Sequence, residues 1–311
     1  MKLPVVLTNP LRPVILAAAR SSRFERAITS TSVSRQLVNR FVAGGERSDV
    51  IAVVRRLLDE GRYVSVDFLG EHVTDTTAAQ ATVDEYLALI EELGKLTDST
   101  TAVPPVEVSM KLSALGAGFC AEDAVKNARI LCEAAQSSGV WVTVDAEDRT
   151  TTDSTLAAVR LLRNDFPWLG TALQAYLKRT ESDCHELAGA RIRLCKGAYN
   201  EPSSVAYRRR DEVTASYLRC LDILCEGTGY PMVASHDPAV IEAAARRVRR
   251  QFEYQMLYGI REDEQARLVA AGNRVRTYVP YGSAWYPYFM RRLAERPANL
   301  RFFLRSLVSR S

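Results

Sequence analysis

The chain has 311 residues, 47% hydrophobic and 25% charged, with a net charge of +4. That composition excludes a disordered polymer, a fibre and a disulfide-stapled miniprotein, and the length allows one large core or two modest ones. No run approaches the roughly 18–20 apolar residues of a membrane span, and the run from Val14 to Ala19 is too short for a secretory signal and is followed by Arg20, Arg23 and Arg26.

Before residue 60 the sequence reads as helical, with apolar residues at helical spacing over Ser32 to Phe41 and Asp49 to Leu58. Tyr63 to Leu69 is the first β-rich run. A long amphipathic stretch from Thr76 to Leu96 follows, with Val83, Leu87, Ile90 and Leu93 on one face. Strand-like runs recur at Val106 to Leu112, Val140 to Ala146, Thr171 to Leu177, Arg191 to Cys195, Met232 to His236, Glu253 to Leu257 and Arg276 to Tyr281. Helical segments fit between them, at Glu122 to Gln136, Asp153 to Asn164, Ser182 to Ala188, Ser203 to Glu226, Ala239 to Arg250 and Glu262 to Ala271. A last one runs from Ala284 to Arg296.

Eight strands, each followed by a helix, predict right-handed crossovers and a parallel sheet. The length fits a closed (β/α)8 TIM-type barrel of ~250 residues; a doubly wound open sheet is the alternative. No linker or charge block divides the chain. The expected organisation is a helical N-terminal extension over 1–60 and one catalytic barrel over 61–311.

Catalytic groups of such barrels sit at the C-terminal strand ends, and those ends are polar here. In order they carry Asp67 and Glu71, Lys111, Asp145 and Glu147, Gln174, Arg193 and Lys196, His236 and Asp237, Glu253 and Gln255, and Tyr278. Singly, each fits a structural ion pair; together they predict a concave polar site at the barrel mouth. Only six of the 41 basic residues are lysines, which reads blandly as coding bias, yet Lys111 and Lys196 both fall at these ends. The six cysteines form no C-x-x-C pair, and His72, His185 and His236 lie far apart. The expectation is therefore reduced cytosolic thiols and no metal site.

Gly116-Ala-Gly118-Phe-Cys-Ala121, between a strand and a helix with Asp145 ending the next strand, has the form of a dinucleotide fingerprint. It belongs to the second of eight units, after a strand containing charged Lys111, so a tight turn is the better reading. At the fifth strand end, Arg193 and Lys196 lead into Gly197 and Ala198, small residues that let a flat or phosphorylated ligand approach. In the last helix Arg291 can pair with Glu295, and the adjacent guanidiniums of Arg291 and Arg292, among Trp285, Tyr286, Tyr288 and Phe289, suit a small carboxylate.

These motifs in order resemble the proline dehydrogenase family. They are Val66-Asp-Phe-Leu-Gly-Glu71, Ser109-Met-Lys-Leu-Ser113, Val144-Asp-Ala-Glu147, Gln174-Ala-Tyr-Leu177, Arg193-Leu-Cys-Lys-Gly-Ala-Tyr199, Ala234-Ser-His-Asp237, Glu253-Tyr-Gln-Met-Leu257, Tyr278-Val-Pro-Tyr-Gly282 and Tyr288-x-x-Arg-Arg-x-x-Glu295. The resemblance covers the chain from about residue 36 onward. It implies a distorted (β/α)8 barrel holding non-covalent FAD and oxidising L-proline to Δ1-pyrroline-5-carboxylate by hydride transfer from C5 to flavin N5.

Carried over residue by residue, the resemblance implies Ala146, Gln174, Arg193, Lys196, Gly197, Ala198, Ser235, His236 and Gln255 around the flavin, with Arg193 near N5. Around proline it implies Lys111, Asp145, Leu257, Tyr278, Arg291, Arg292 and Glu295, with Lys111 fixed by Asp145 or Glu295 and the two arginines on the carboxylate. Tyr288 would exclude a hydroxyl at ring C4. Asp145 and Arg193 are the residues assigned to catalysis. Cys195 and Ser235 depart mildly from the family pattern.

Neither an aldehyde dehydrogenase domain nor a DNA-binding domain is read in the chain, so a separate pyrroline-5-carboxylate dehydrogenase would take the product and no nucleic acid is expected. Electrons would pass to a membrane quinone, implying a cytoplasmic protein peripheral on the inner face of the cell membrane. The basic runs Arg208 to Arg210 and Arg246 to Arg250 are candidates for that contact, or simply solvated arginines. The alternatives are an FAD barrel acting on another cyclic amino acid such as hydroxyproline and, in a different class, a non-catalytic basic binding protein.

Overall fold

Each barrel strand carries aliphatic residues at one parity and mostly polar residues at the other, and this alternation decides which face looks where. The computed structural model describes residues 38–70, 73–97 and 102–295, the side chains of 291 and 293–295 excepted. Helix α1 (Arg47–Asp59) leads into β1 (Tyr63–Phe68), α2 (Thr76–Gly94), β2 (Val106–Met110), a 3-10 turn at Leu112–Leu115 and α3 (Ala121–Ser137). Then come β3 (Trp141–Val144), α4 (Thr152–Arg163), β4 (Gly170–Gln174), α5 (Thr180–Glu186), β5 (Arg191–Cys195) and α6 (Arg210–Glu226). The chain continues through β6 (Tyr230–Ala234), α7 (Pro238–Arg247), β7 (Glu253–Leu257), α8 (Glu262–Ala270), β8 (Val275–Tyr281) and α9 (Trp285–Glu295). The eight strands are parallel, pair in sequence order, and close where β1 meets β8. The expected (β/α)8 barrel is the observed one.

The aliphatic parity faces the helices. Val64, Val66, Val106, Val108, Val142 and Val144 pack with Val54, Leu57, Val83, Leu89 and Leu131 of α1 to α3. Ile192, Leu194, Val233 and Met256 do the same with Tyr217, Leu221 and Val240 on the other side. Helix α1 packs against β1 and β8, and its Arg47 pairs with Glu85 of α2 at 3.1 Å. Most of the helical run expected over Ser32 to Phe41 lies outside the described residues. Val38, Phe41 and Val42 pack against Tyr286 and Phe289 of α9, and the Arg40 carbonyl approaches Gly259 so closely that a Cβ there would lie 1.7 Å from it. Gly259 also has φ +70, so only glycine fits this crossing.

Element ends differ from the sequence expectation where local hydrogen bonds intervene. Strand β2 stops at Met110 because residues 112–115 wind into the 3-10 turn, capped by Gly116 at φ +106. The N–H groups of Ala117, Phe119 and Cys120 are spent on the carbonyls of Leu112 and Gly116, so the glycine run is a turn and presents no nest for a dinucleotide phosphate. Helix α6 begins at Arg210 rather than Ser203. The Pro202 carbonyl takes the N–H groups of Val205 and Ala206, and Ala206 forms an isolated bridge with Leu177.

The inward parity is charged well below the mouth. Glu107, fully buried, lies 2.7 Å from Arg191 and 2.6 Å from Arg193, with Arg276 at 3.9 Å. Glu253 begins β7 at the far end from the mouth, where it pairs with Arg276 at 2.7 Å; it is no strand-end site residue. Burial pushes the Glu107 carboxyl up, but the guanidiniums of Arg276, Arg191 and Arg193 outweigh it and hold the group well below the carboxylate range. Removing one partner from such a buried cluster strands the others without compensation. Glu107→Gln is therefore expected to cost about 3–5 kcal/mol of stability, read from the denaturant midpoint at unchanged m-value.

Candidate active site

The mouth is built where the polar parity reaches the C-terminal strand ends. Lys111, the residue after β2, places its Nζ 2.8 Å from both carboxylate oxygens of Asp67, and 3.4 Å from Asp145 Oδ2. Asp67 thus joins Asp145, which the resemblance implied, as a partner of Lys111; the Glu295 side chain lies outside the described residues. The Tyr278 hydroxyl donates to Asp145 Oδ2 at 2.8 Å and sits 3.4 Å from Lys111 Nζ.

Arg193 ties this cluster to the interior. Its Nε donates to Gln255 at 2.5 Å, Nη1 to Ser109 at 2.7 Å and to Asp145, and Nη2 to Ser65 at 3.0 Å and Glu107 at 2.6 Å. All five guanidinium donors are paired, and the cation lies 5.3 Å from the Tyr278 ring centroid. Five expected site residues, Lys111, Asp145, Arg193, Gln255 and Tyr278, therefore form one connected group.

Electrostatics follow from this packing. Burial, reinforced by the nearby Asp145 charge and opposed by Lys111, pushes the Asp67 carboxyl up to about 6. Burial and the carboxylates of Asp145 and Asp67 lift Tyr278 well above the phenol range, so it stays a protonated donor. Burial works against the Arg193 charge, but Asp145 and Glu107 raise its pKa above the ordinary value.

A second group lines the ends of β4 to β6. Gln174 donates to the Glu147 carbonyl at 2.8 Å, next to Ala146, and the Glu147 carboxylate accepts from the Ser113 N–H and hydroxyl. Lys196 is pinned between Thr214 at 2.8 Å and Asp237, and is about a quarter exposed at its side chain, 26%. Gly197 has φ +100 and its missing Cβ would fall 2.0 Å from the Tyr176 ring, so the exit of β5 passes Tyr176 only as glycine, with Ala198 next. Ser235 accepts the Asp237 N–H at 3.1 Å. His236 Nε2 accepts the Leu257 N–H at 3.0 Å, which assigns the ring proton to Nδ1. Burial pushes the Cys195 thiol up to about 11, so it sits beside these groups as a neutral thiol.

Helix α9 supplies an aromatic wall: Leu257 and Tyr278 pack against Tyr286, Tyr288, Phe289 and Met290. Arg292 lies 5.2 Å from the Tyr288 ring centroid. The side chains of Arg291 and Glu295 lie outside the described residues, as do Glu71 and His72.

The basic runs are largely engaged. Arg209 pairs with Asp211 at 2.7 Å, Arg246 with Glu242 at 2.5 Å, and Arg247 with Asp222. Among the described residues no helix is long and apolar enough to cross a membrane, and no group of three acidic, histidine or cysteine side chains could hold a metal.

Residues 50–305 match the family model for proline dehydrogenase. The chain is 36% identical over 316 aligned positions to proline dehydrogenase of Deinococcus radiodurans, covering 97% of this chain and 96% of that protein. To proline dehydrogenase 1 of Bacillus subtilis subsp. natto it is 34% identical over 280 residues, 87% of this chain and 90% of that one. Among solved structures, proline utilization A from Bdellovibrio bacteriovorus superposes with a TM-score of 0.80 at 22% identity, over 98% of this chain and 38% of that longer one; that likeness bears on the fold. The chain is an oxidoreductase that belongs to the proline dehydrogenase family.

Proposed function

We propose that residues 61–311 oxidise L-proline to Δ1-pyrroline-5-carboxylate with non-covalent FAD, with residues 1–60 as a helical preface. The carrying observation is the connected group of Asp67, Lys111, Asp145, Arg193 and Tyr278 beneath the aromatic wall of α9. The residues beside it fit a flavin: a part-exposed ammonium, a primary amide and the fixed positive charge of a buried guanidinium, suited to a ring system that becomes anionic on reduction. Gln174, Lys196, Gly197, Ala198, Ser235, His236 and Gln255, with Ala146, would hold it. When bound, FAD supplies the acceptor for the hydride from proline C5 and a route for its two electrons to a membrane quinone.

This chain's own residues bind and orient the substrate. Arg291 and Arg292 clamp the carboxylate, with Glu295 alongside them, and Tyr278 and Leu257 pack on the ring. Lys111 is held in register by Asp67 and Asp145, and a fixed orientation of this kind supplies much of the acceleration of such a reaction. Tyr288, 6% exposed in the α9 cluster, fills the space a 4-hydroxyl would need, favouring proline over hydroxyproline. A separate pyrroline-5-carboxylate dehydrogenase consumes the product, and the protein works in the cytoplasm against the inner membrane face.

Purified protein should show flavin bands that bleach anaerobically with L-proline; a colourless protein that takes up no FAD would sink this reading. Arg292→Met is expected to raise KM for L-proline about 10- to 100-fold at unchanged flavin content, and loss of flavin without a KM effect would refute the carboxylate role. Because the folded-state pKa of Asp67 lies above its unfolded value, keeping it ionised weighs against stability progressively as pH rises from 3.8 through about 6. Conversely the Lys111–Asp67 pair is fully charged only above about 6. The kcat/KM profile should therefore fall on the acid side with a limb near pH 6, and Asp67→Asn should abolish that limb and lower the plateau.

A further inference from the structure

A cavity of about 440 Å³ opens at the barrel end opposite the mouth, among the turns that lead into β4, β5, β6 and β7. Arg191, Arg250, Gly189, Thr228, Tyr230 and Gln251 line it, and no acidic residue does. Positive charge is concentrated around it. Arg250 donates to the Gly227 and Thr228 carbonyls. Arg163 donates to Pro167 and Leu169 at 2.8 Å each and reaches the Gly189 carbonyl at 3.4 Å. Arg274 bonds the Tyr230 hydroxyl at 2.6 Å.

These bonds fix three guanidiniums without neutralising them, and among the described residues none of the three has a carboxylate partner. Three nearby carboxylates are engaged with other arginines. Glu107 is shared among Arg191, Arg193 and Arg276, Glu253 holds Arg276, and Asp165 is taken by Arg129 at 2.7 Å. Some surface arginines elsewhere do pair with carboxylates, as at Arg160–Glu186 and Arg219–Glu181. Burial and, after it, the charge of neighbouring Arg191 press the Arg163 pKa down.

We propose that this cavity binds a phosphate group, carried by a small phosphate monoester. Arg191 and Arg250 line the cavity, Arg163 and Arg274 are bonded to its wall at Pro167, Gly189 and Tyr230, and cations arriving from separate segments suit a dianion with several acceptor oxygens better than a single carboxylate. The volume exceeds what the phosphate alone needs and leaves room for an organic portion against Pro167 and Ala190. The site is separate from the mouth and does not depend on the proposed oxidation chemistry.

Thermal unfolding and calorimetry of the full-length protein, at ionic strength held constant with NaCl, test this with inorganic phosphate and glycerol 3-phosphate as probes. Glycerol 3-phosphate should give a saturable rise in Tm of about 3 °C. Arg250→Gln and Arg163→Gln should each weaken its binding about tenfold or more. Gln251→Glu, at an exposed position, should abolish the response while the protein stays folded. Tighter binding of the ester assigns the site to monoesters, and equal binding assigns it to the phosphate group alone. A Tm rise that never saturates, or one that persists in all three variants, overturns the site.

Discussion

Four buried carboxylates and four buried cations share the inward face of the barrel, and the neutrality of that set governs the rest of the structure. Asp67, Glu107, Asp145 and Glu253 stand against Lys111, Arg191, Arg193 and Arg276. Each alone would carry a desolvation penalty of several kcal/mol. Their linkage, with Glu107 among three cations, Asp145 between two, and Asp67 and Glu253 each on one, replaces the lost hydration with fixed partners. The aliphatic parity of the strands takes over the hydrophobic role, packing outward on the helices, so the barrel derives its cohesion from the ring between sheet and helices rather than from its axis.

That division explains how the mouth is made. Side chains at strand ends inherit their orientation from the charged layer beneath them: Arg193 is gripped from below by Glu107 and from the side by Ser65, Ser109 and Gln255 before it reaches Asp145. The aromatic wall of α9 then closes over a site whose polar groups already have partners. Such a site needs little reorganisation when charge develops in it. Glu107 also joins the two ends of the barrel, since the same carboxylate holds Arg191 beside the lower cavity and Arg193 beneath the mouth.

Much of this was legible in the sequence, for physical reasons that differ from one feature to the next. The eight strand–helix units were readable because strands such as Arg191–Cys195 and Glu253–Leu257 are short runs bounded by turns, and helices such as α2 carry a clean apolar stripe. The strand-end residues Lys111, Asp145, Arg193 and Tyr278 were readable because charge at the end of a β-rich run is conspicuous. Glu107, Arg191 and Arg276 were missed as members of the same network, although their alternation with Val106, Ile192 and Val275 was in view. A barrel axis is ordinarily apolar, and alternation alone does not tell an interior face from a solvated one. Asp67 was noted at a strand end but not assigned to the site, because its pairing with Lys111 depends on the stagger between β1 and β2, which no single strand reveals. The start of α6 was misplaced because a turn stapled by the Pro202 carbonyl has the same apolar spacing as a helix.

The charged axis also constrains how this sequence can drift. A hydrophobic core changes one residue at a time, since each swap alters volume by a methylene or two. Here a single neutral replacement leaves an unmatched ion in a dry interior, so a route to an apolar axis must cross a deep fitness valley or change two or three positions together. The interior is thus historically locked: its variation should be concentrated in swaps that keep the sign of each group, while the outward valines and isoleucines remain free to exchange among themselves.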